Sequence, residues 1–526
     1  MSLLFDRIAL QAQRLPDVLA LQATDRFLSF REFLALIDDT ARQFRAEGLG
    51  AGSVIGWLGH NSPEMLAALL ACAKLGAVWV PLNWRLAAPE LAAIAAHAGL
   101  SVLKNTPELV HLAGQVRALA PSAVQPGQPL ADGHAETRTH TSAPTSAGTR
   151  IDASADTCAD TVPQPGDLMR VYTSGTSGEP KAAVHTQAGM VANIDMALAV
   201  QGLMADDRVL AVLPLFHVGG LCIQVLPALA VGAAVNLHAR FDASAWLHDV
   251  AAWRPTTSLL VPAVMQAVLA HADWPAADLS GLRFINSGSQ VVPVALIEAF
   301  HARGVPVAQV YGSTETGPFS IALRPDEALQ HVGSVGQPAP GAQLRLVDSI
   351  GADVTVGTVG EIWLQAPNLM RGYHRLPAGT GFVAGWFATG DLAQADDQGY
   401  VSVVGRSKDL IISGGENIHP AEIENLAATW PGVAEAAVVG LPDARWGEVP
   451  VLVLVAQAGV PIDLDGLRAE FGRCLARFKH PRRIVVADRL PRTALGKVQK
   501  AVLCRALLVD VSGADLTQPG AKPVLR

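Results

Sequence analysis

Short apolar runs that break off into small or polar residues recur along this chain, and apolar residues at helical spacing fill the intervals between them. "RFLSFREFLALIDDTARQFRAEGL" leads on to "VIGWLGHNSPEMLAALLACAKLGAVWVPLN", and the rhythm returns in "LMRVYTSG", "TTSLLVPAVMQAVL", "LRFINSGSQ" and "VPVAQVYGSTETG". Strand, helix and strand in that order predict an α/β chain built on wound, mainly parallel sheets. In such sheets ligand loops sit at the strand ends, where these runs turn small and polar. The run "VLAVLPLFHVGGLCIQVLPALAVGAAVNL" over residues 209–237 carries no Asp, Glu, Lys or Arg and is long enough to cross a bilayer. Pro214, Gly219, Gly220, Pro227 and Gly232 cut it into strand and short-helix lengths, as expected for elements buried on both faces of a parallel sheet.

The rhythm breaks over about residues 121–166, rich in Ala, Ser, Thr, Gly and Pro, which reads as a flexible surface insertion. After "GWFATGDLAQADDQGYVSVVGRSKDLII" the texture changes to short strands, turns and one amphipathic helix in "PAEIENLAATW". The expected division is a large domain over 1–405, a hinge at 406–409 and a small mobile α+β domain over 410–526. Asp6 and Arg7 interrupt what would be the apolar core of an export signal, so the first residues read as an amphipathic helix. Lys plus Arg number 39 against 47 for Asp plus Glu, a formal net charge of −8, which gives no general attraction to nucleic acid or anionic membrane. Cys72, Cys158, Cys222, Cys474 and Cys504 show no paired or metal-ligand spacing, as in reduced thiols of a cytoplasmic protein.

"YTSGTSGEPK" concentrates the chemistry. Glycines let backbone amides approach phosphate oxygens, hydroxyls add donors and Lys181 adds charge, so Thr173, Ser174, Gly175, Thr176, Ser177, Gly178 and Lys181 suit a polyphosphate. Pro180 precedes the lysine and no Ser or Thr follows it directly, so this is not the Walker pattern. A polar turn is the bland alternative, and it weakens as other loops join. "YGSTETG" offers the Tyr311 ring for a base and the Glu315 carboxylate for magnesium. "ATGDL" offers two Asp391 oxygens for two ribose hydroxyls. "GRSKDLIISGGENIHPAEIE" and "LPRTALGKVQK" follow in order.

Together these motifs resemble the adenylate-forming superfamily of acyl-CoA synthetases, aryl-CoA ligases, peptide-synthetase adenylation domains and luciferases, over residues of about 10–505. The tail is most similar to the branch of 4-chlorobenzoate:CoA ligase. The resemblance implies an ATP-dependent carboxylate:CoA ligase that needs Mg2+, forms an acyl-adenylate and then an acyl-CoA, and releases pyrophosphate and AMP. It implies that Lys497 is the catalytic lysine, that the glycine-rich loop holds the leaving phosphates, that Tyr311 stacks on adenine with Gly312 and Gly288 beside it, and that Thr314 meets the α-phosphate. Asp391 and Arg406 would bind ribose, Glu315 magnesium, and Lys408 would be the hinge. Gly414 and Gly415 would line the pantetheine tunnel, with Arg85, Trp446, Phe478 and Arg482 on the CoA nucleotide and His480 where a basic residue is expected. His217 would be the gate above an acyl pocket of Met196, Val218, Gly219, Leu260, Val261, Met265, Ser287, Gly288, Gly312, Gly317, Pro318 and Phe319.

Those pocket positions are apolar or small, which favours an aromatic or medium-chain aliphatic acid, because a second charge would be buried unpaired. "NSGS" replaces the more usual Gly-Gly-Ala at one loop, leaving the pocket floor open. The short tail after Lys500 has no room for a carrier domain, so free CoA is the expected thiol. The alternatives are a ligase that loads a separate carrier protein and a dicarboxylate (malonate-like) CoA ligase. The expected partners are therefore a small carboxylic acid, ATP and CoA, with a homodimer left open. "FDAS" at 241–244 reads as a helix start capped by Asp242 or Ser244.

Overall fold

The computed structural model describes residues 4–24, 26–121, 125–126, 163–173, 180–413, 416–443, 445–492 and 497–511. Most of the 121–166 insertion, the loop residues Ser174 to Gly178, and Gly414 with Gly415 lie outside the described residues. Within the insertion, Gln125–Pro126 adds a parallel edge to the strand Val102–Asn105, a short sheet extension that its composition did not suggest.

Two large sheets carry the main body. The first has six consecutive parallel strands, in the spatial order Val307–Tyr311, Phe284–Gly288, Thr257–Leu260, Arg208–Ala211, Ala234–Leu237 and Leu19–Ala23, with antiparallel strands at its edges. The second runs Gly372–Tyr373, Lys181–Thr186, Asp167–Thr173, Val78–Leu82, Val54–Leu58, Val102–Asn105 and Gln125–Pro126. Between them pack helices that are apolar on every side, as buried helices must be. The helix Pro63–Leu75 is the clearest case: Ser62 caps it by accepting from the Met65 amide at 3.2 Å, Gly76 closes it in a left-handed turn, and residues 65–73 are buried throughout. Ile55, Trp57 and Trp79 of one sheet and Leu21, Val209 and Val235 of the other join a single core across it. Truncating one of its leucines to alanine removes about 2–5 kcal/mol of stability.

The charge-free run resolves as the sequence predicts, into Arg208–Ala211, a helical stretch, and Ala234–Leu237, with Gly232 at φ 95° turning the chain. One detail differs: residues Leu221–Val225 form a wide π-helical turn between Val218–Gly220 and Leu226–Val231. Among the described residues no helix is long and apolar enough to cross a membrane. The N-terminal amphipathic helix is Leu4–Arg14, burying Leu4, Ile8 and Ala12. Asp242, not Ser244, caps the helix Ala243–Ala252, accepting from the Ala245 amide at 2.9 Å.

A third, antiparallel sheet includes Gly360–Gln365, Trp386–Ala395 and Val401–Arg406. The last of these ends in the single turn Ser407–Asp409. Beyond it lies a smaller body of Ile411–Ser413, Glu416–Ile418, Val433–Asp443, Gly447–Ala456 and Arg483–Ala487, covered by the predicted helix Pro420–Ala428 and by Leu464–Cys474. The large parallel-sheet body and the smaller C-terminal body together are the expected α/β class.

Candidate active site

The site begins at the hairpin of Asp167–Thr173 and Lys181–Thr186, in which Thr173 pairs with Lys181 and Val171 with Ala183. Strand residues alternate between faces, so register sorts the side chains. Thr173, Lys181, His185 and, across the edge pairing to Gly372–Tyr373, Tyr373 share one face, while Arg170, Tyr172 and His374 share the other. On the first face the Tyr373 hydroxyl donates to Glu315 Oε1 at 2.9 Å. His185 is wholly buried there, and neither ring nitrogen meets hydrogen-bond geometry with a partner among the described residues, although the Thr314 backbone and the Glu315 carboxylate are beside it. Burial pushes its pKa down to about 4, outweighing the pull of Glu315, so the ring is neutral at physiological pH. On the opposite face Arg170 donates to the Ala98 carbonyl at 2.7 Å and the Tyr172 hydroxyl meets His97 Nδ1 at 2.8 Å, fixing the root of the hairpin.

The loop after Val307–Tyr311 ties itself. The Ser313 amide donates to Thr316 Oγ1 at 2.8 Å, the Glu315 amide to Ser313 Oγ at 3.2 Å, and Met370 N–H to the Glu315 carbonyl at 2.7 Å. Gly312 allows this fold, since a Cβ there would meet the Pro318 carbonyl oxygen at 2.5 Å, and a Cβ on Gly288 would meet that of Val310 at 2.2 Å. Gly219 is different: its nearest neighbours would be Ser289 Oγ at 3.7 Å and Ile223 at 4.0 Å. Ser289, where the sequence departs from Gly-Gly-Ala, adopts φ 70°, a left-handed conformation that is uncommon outside glycine.

Asp391 has both oxygens engaged, Oδ2 by the Tyr311 hydroxyl at 2.8 Å and Oδ1 by Arg406 Nε at 2.8 Å. Burial, and then the negative charge of Asp391, raise the Tyr311 pKa far above its usual value, so the phenol stays a donor. Lys497 reaches this group from the small body: burial lowers its pKa, Arg406 adds to that, and Asp391 and Glu315 oppose it. His217 lies close enough to feel Arg85 and Lys497 as well as burial, which brings its pKa down to about 3. Its ring packs on Phe216 with centroids 4.3 Å apart, and the Arg85 guanidinium lies 6.0 Å from the Phe216 ring and 5.0 Å from Trp84. Glu315, Asp391, Arg406 and Lys497 thus lie within electrostatic reach of one another, and His217 within reach of Lys497.

Of the expected acyl residues, Met196, Leu260, Met265 and Phe319 belong to one core, with Val261 packed against it, and Ser287 Oγ lies 3.3 Å from Met265 Sδ. Val218 belongs to the neighbouring core between the sheets. Buried Asn368 clamps the 317–319 loop, its amide nitrogen shared among Asn193 Oδ1 at 3.2 Å, Phe319 O at 3.3 Å and Gly317 O at 3.4 Å. On the small body Trp446 has two guanidiniums near its ring, Arg445 at 4.8 Å and Arg482 at 5.6 Å from the centroid. Phe478 is 41% exposed beside Lys479, so it is no core residue. Arg85, on the large body, lies close enough to His217 to lower its pKa. His480 contacts the Leu475 carbonyl at 3.0 Å.

Sequence reasoning did not single out Tyr373, His185, Asn368 or Arg445. Tyr373 and Asn368 lie in "GEIWLQAPNLMRGYH"; strand register aligns Tyr373 with Glu315, and Asn368 meets the 317–319 loop from the turn between two strands. Arg445 is adjacent to Trp446 and was legible as a second cation there.

The Glu315 carboxylate beside the hairpin, the paired Asp391 and Arg406, and Lys497 reaching them from the smaller body are the arrangement expected of an adenylate-forming enzyme. Comparison with known proteins agrees. The family model for AMP-binding enzymes matches residues 8–374, and that for the AMP-binding enzyme C-terminal domain matches residues 422–497. The chain is 43% identical over 493 residues to an indoleacetate–CoA ligase of Aromatoleum aromaticum, covering 92% of this chain and 94% of that protein. It is 38% identical over 501 residues to a feruloyl-CoA synthase of an Amycolatopsis species, covering 94% and 97%. An anthranilate CoA ligase structure in complex with anthranoyl-AMP superposes with a TM-score of 0.85 at 26% identity, covering 97% of this chain and 98% of that one. The chain belongs to the AMP-binding enzyme family, in its acyl- and aryl-CoA synthetase branch. It is an ATP-dependent, AMP-forming acid–thiol ligase.

Proposed function

We propose that this ligase joins an aromatic carboxylic acid to coenzyme A, and that the convergence of Glu315, Asp391, Arg406 and Lys497 beside His217 performs the first step. A carboxylate oxygen attacks the α-phosphorus of ATP, the bond to the bridging oxygen breaks, and pyrophosphate leaves. Anion attacks anion, so the barrier is one of charge and positioning. Lys497 supplies positive charge between the carboxylate and the α-phosphate in a site that excludes much of the water. Thr173, Lys181 and the loop Ser174, Gly175, Thr176, Ser177 and Gly178 hold the departing phosphates. Tyr311 flanks adenine with Gly312 and Gly288, and Thr314 takes the α-phosphate. A carboxylate offers about four acceptor sites, so Asp391 binds ribose hydroxyls beyond its bonds to Tyr311 and Arg406.

Glu315 fits magnesium. It is a half-buried carboxylate beside the phosphate hairpin, steadied through one oxygen by Tyr373, and one carboxylate is a common protein share for a cation held mainly by phosphate oxygens and water. Bound there, magnesium would neutralise charge on the leaving phosphates.

In the second step the CoA thiolate attacks the acyl carbon and AMP leaves. Residues 410–526 turn against 1–405 at Lys408, exposed in the turn that follows Val401–Arg406. The turn withdraws Lys497 and brings Gly414 and Gly415 up as walls for pantetheine, where a side chain would obstruct. Trp446, Phe478 and Arg482, with Arg85 from the large body, receive the nucleotide end. His217 gates the acyl pocket as a neutral ring.

Two findings support an aromatic acid. The pocket positions, Met196, Val218, Val261, Met265 and Phe319 among them, carry no charge for a second carboxylate or an ammonium. Relatives at 43% and 38% identity are named for indoleacetate and feruloyl substrates, and acids of that shape are the first to try. The test is mass-spectrometric detection of products from ATP, magnesium and a panel of aromatic, aliphatic and dicarboxylic acids, with and without CoA. Acyl-CoA, AMP and pyrophosphate from aromatic acids are expected. Turnover of aliphatic acids alone overturns the aromatic reading, and adenylate that CoA never captures transfers the thiol to a carrier protein.

A further inference from the structure

The π-helical turn Leu221–Val225 is surrounded by buried side-chain amides. Asn193 and Gln201, on the helix Gln187–Gln201, donate to the Cys222 and Ile223 carbonyls, each at 2.8 Å. Gln224 donates through Nε2 to Thr257 Oγ1 at 2.8 Å and to Asn286 Oδ1 at 2.7 Å. Asn286 in turn donates through Nδ2 to the Ala308 carbonyl at 3.0 Å. That carbonyl can only accept, so the Asn286 nitrogen must face it and its oxygen must face Gln224. Gln224 must then answer with its nitrogen, because the flipped amide would set oxygen against oxygen. Its Oε1 is thereby a fixed acceptor. The residue is 1% exposed, and Oε1 has no hydrogen-bond partner among the described residues. More than nine in ten buried polar groups are paired, and leaving one unpaired costs about 1–3 kcal/mol.

The position of this acceptor relates it to the acid. Gln224 follows Ile223, whose side chain comes within 4.0 Å of the space above Gly219, an expected pocket residue. Asn286 shares a strand face with Gly288, two residues on. At the other end, His217 and Lys497 mark where the carboxylate reacts. Seven residues of helix separate His217 from Gln224, about 10 Å along the axis, which suits a flat acid of two fused rings or of one ring and a short spacer.

We infer that Gln224 Oε1, held by Asn286 and Thr257, is the specificity-determining acceptor at the deep end of the acyl pocket, and that the preferred acids carry an N–H or O–H donor on the ring remote from the carboxylate. This rests on the aromatic reading of the same pocket. It makes Gln224 a residue that selects the acid without taking part in adenylation.

Isosteric pairs test it. One arm compares indole-3-acetate with benzothiophene-3-acetate, which replaces N–H by S; the other compares 4-hydroxycinnamate with 4-fluorocinnamate. Wild-type enzyme is expected to favour the donor in at least one arm by about tenfold or more in kcat/KM, and the arm that responds names the donor. Gln224→Met, similar in length and without the acceptor, is expected to bring that ratio to within about twofold of one, with the loss falling on the donor-bearing acid. Wild-type ratios near one in both arms overturn the inference, as does a Gln224→Met variant that slows both members of a pair alike. Should Gln224→Met fail to fold, the wild-type ratios alone decide. If all four aromatic acids are inert while aliphatic acids react, the aromatic reading and this inference fall together, a pattern distinct from aromatic turnover without donor preference.

Discussion

At the proposed nucleotide end of the site the two carboxylates are already held: Asp391 is bonded to Tyr311 and Arg406, and Glu315 to Tyr373, with His185 as the one group there left without a hydrogen-bond partner among the described residues. At the proposed acyl end open acceptors and donors predominate, with Gln224 Oε1, Asn368 Oδ1 and His217 Nε2 buried and without partners among the described residues. Groups fixed in advance need no reorganisation when charge develops on phosphate, which is where electrostatic catalysis gains most. An open acceptor gains only from a ligand that completes it. The difference separates the invariant part of the reaction, set by the protein, from the variable part, set by the acid.

The largest effect should come from the group that meets both ends. Lys497→Ala is expected to slow adenylate formation by about 10²–10³-fold, the scale of one lost electrostatic stabiliser, while the unfolding midpoint moves by less than about 2 °C. Pyrophosphate release in single turnovers and a thermal melt report the two quantities. Adenylation at the wild-type rate would remove Lys497 from the first step altogether. A smaller loss is expected from Tyr373→Phe, which takes away a hydrogen bond to a charged acceptor worth about 1.5–3 kcal/mol, roughly 10- to 100-fold in kcat/KM for MgATP. The KM for the acid should hardly move, and equal losses for ATP and acid would erase the proposed separation of the two ends. Trp446→Ala should be milder still, raising the KM for CoA by about five- to tenfold and leaving pyrophosphate release intact. A defect in pyrophosphate release instead would mean that Trp446 supports the first step.

Legibility in the sequence followed the same division. Motifs at strand ends, such as "YTSGTSGEPK" and "YGSTETG", announce themselves because the chemistry demands particular residue types at consecutive positions. The buried helix Pro63–Leu75 was legible from its unbroken apolar spacing, and the helix start at "FDAS" from its place before a helical run, with the choice of Asp242 over Ser244 as cap left to the structure. What could not be read is whatever depends on register between distant segments. Tyr373 reaches Glu315 because Gly372–Tyr373 pairs with Val184 and Ala183 across nearly two hundred residues of chain. Gln224 is one polar residue within a charge-free run, and its orphaned oxygen emerges only once Asn286 and Ala308, from two other strands, fix the amide. The π-helical turn is equally silent, since no local signal in "LCIQV" distinguishes it from an ordinary helical turn.

The finest test of the contrast is pH. Burial disfavours the ammonium form of Lys497, with Arg406 beside it, and these outweigh Asp391 and Glu315, so the pKa in the free enzyme lies below that of an exposed lysine. The charged form is the working one. As pH rises through that lowered pKa the proton is lost, and kcat/KM for ATP should fall earlier than an ordinary lysine would allow. Bound ATP brings phosphate charge beside the ammonium, favours it and raises the pKa. Since kcat/KM reports the free enzyme and kcat the complex, the alkaline limb in kcat should lie at higher pH than the limb in kcat/KM. His217, held neutral until about 3 by burial first and then by Arg85 and Lys497, should add no limb between about pH 5 and 8 where histidines ordinarily titrate. Pyrophosphate-release profiles settle the point, and coincident limbs would mean that Lys497 does not govern them. Lys497→Arg sharpens the test, because a guanidinium keeps its charge throughout the range and the alkaline limb should vanish even where the rate is low.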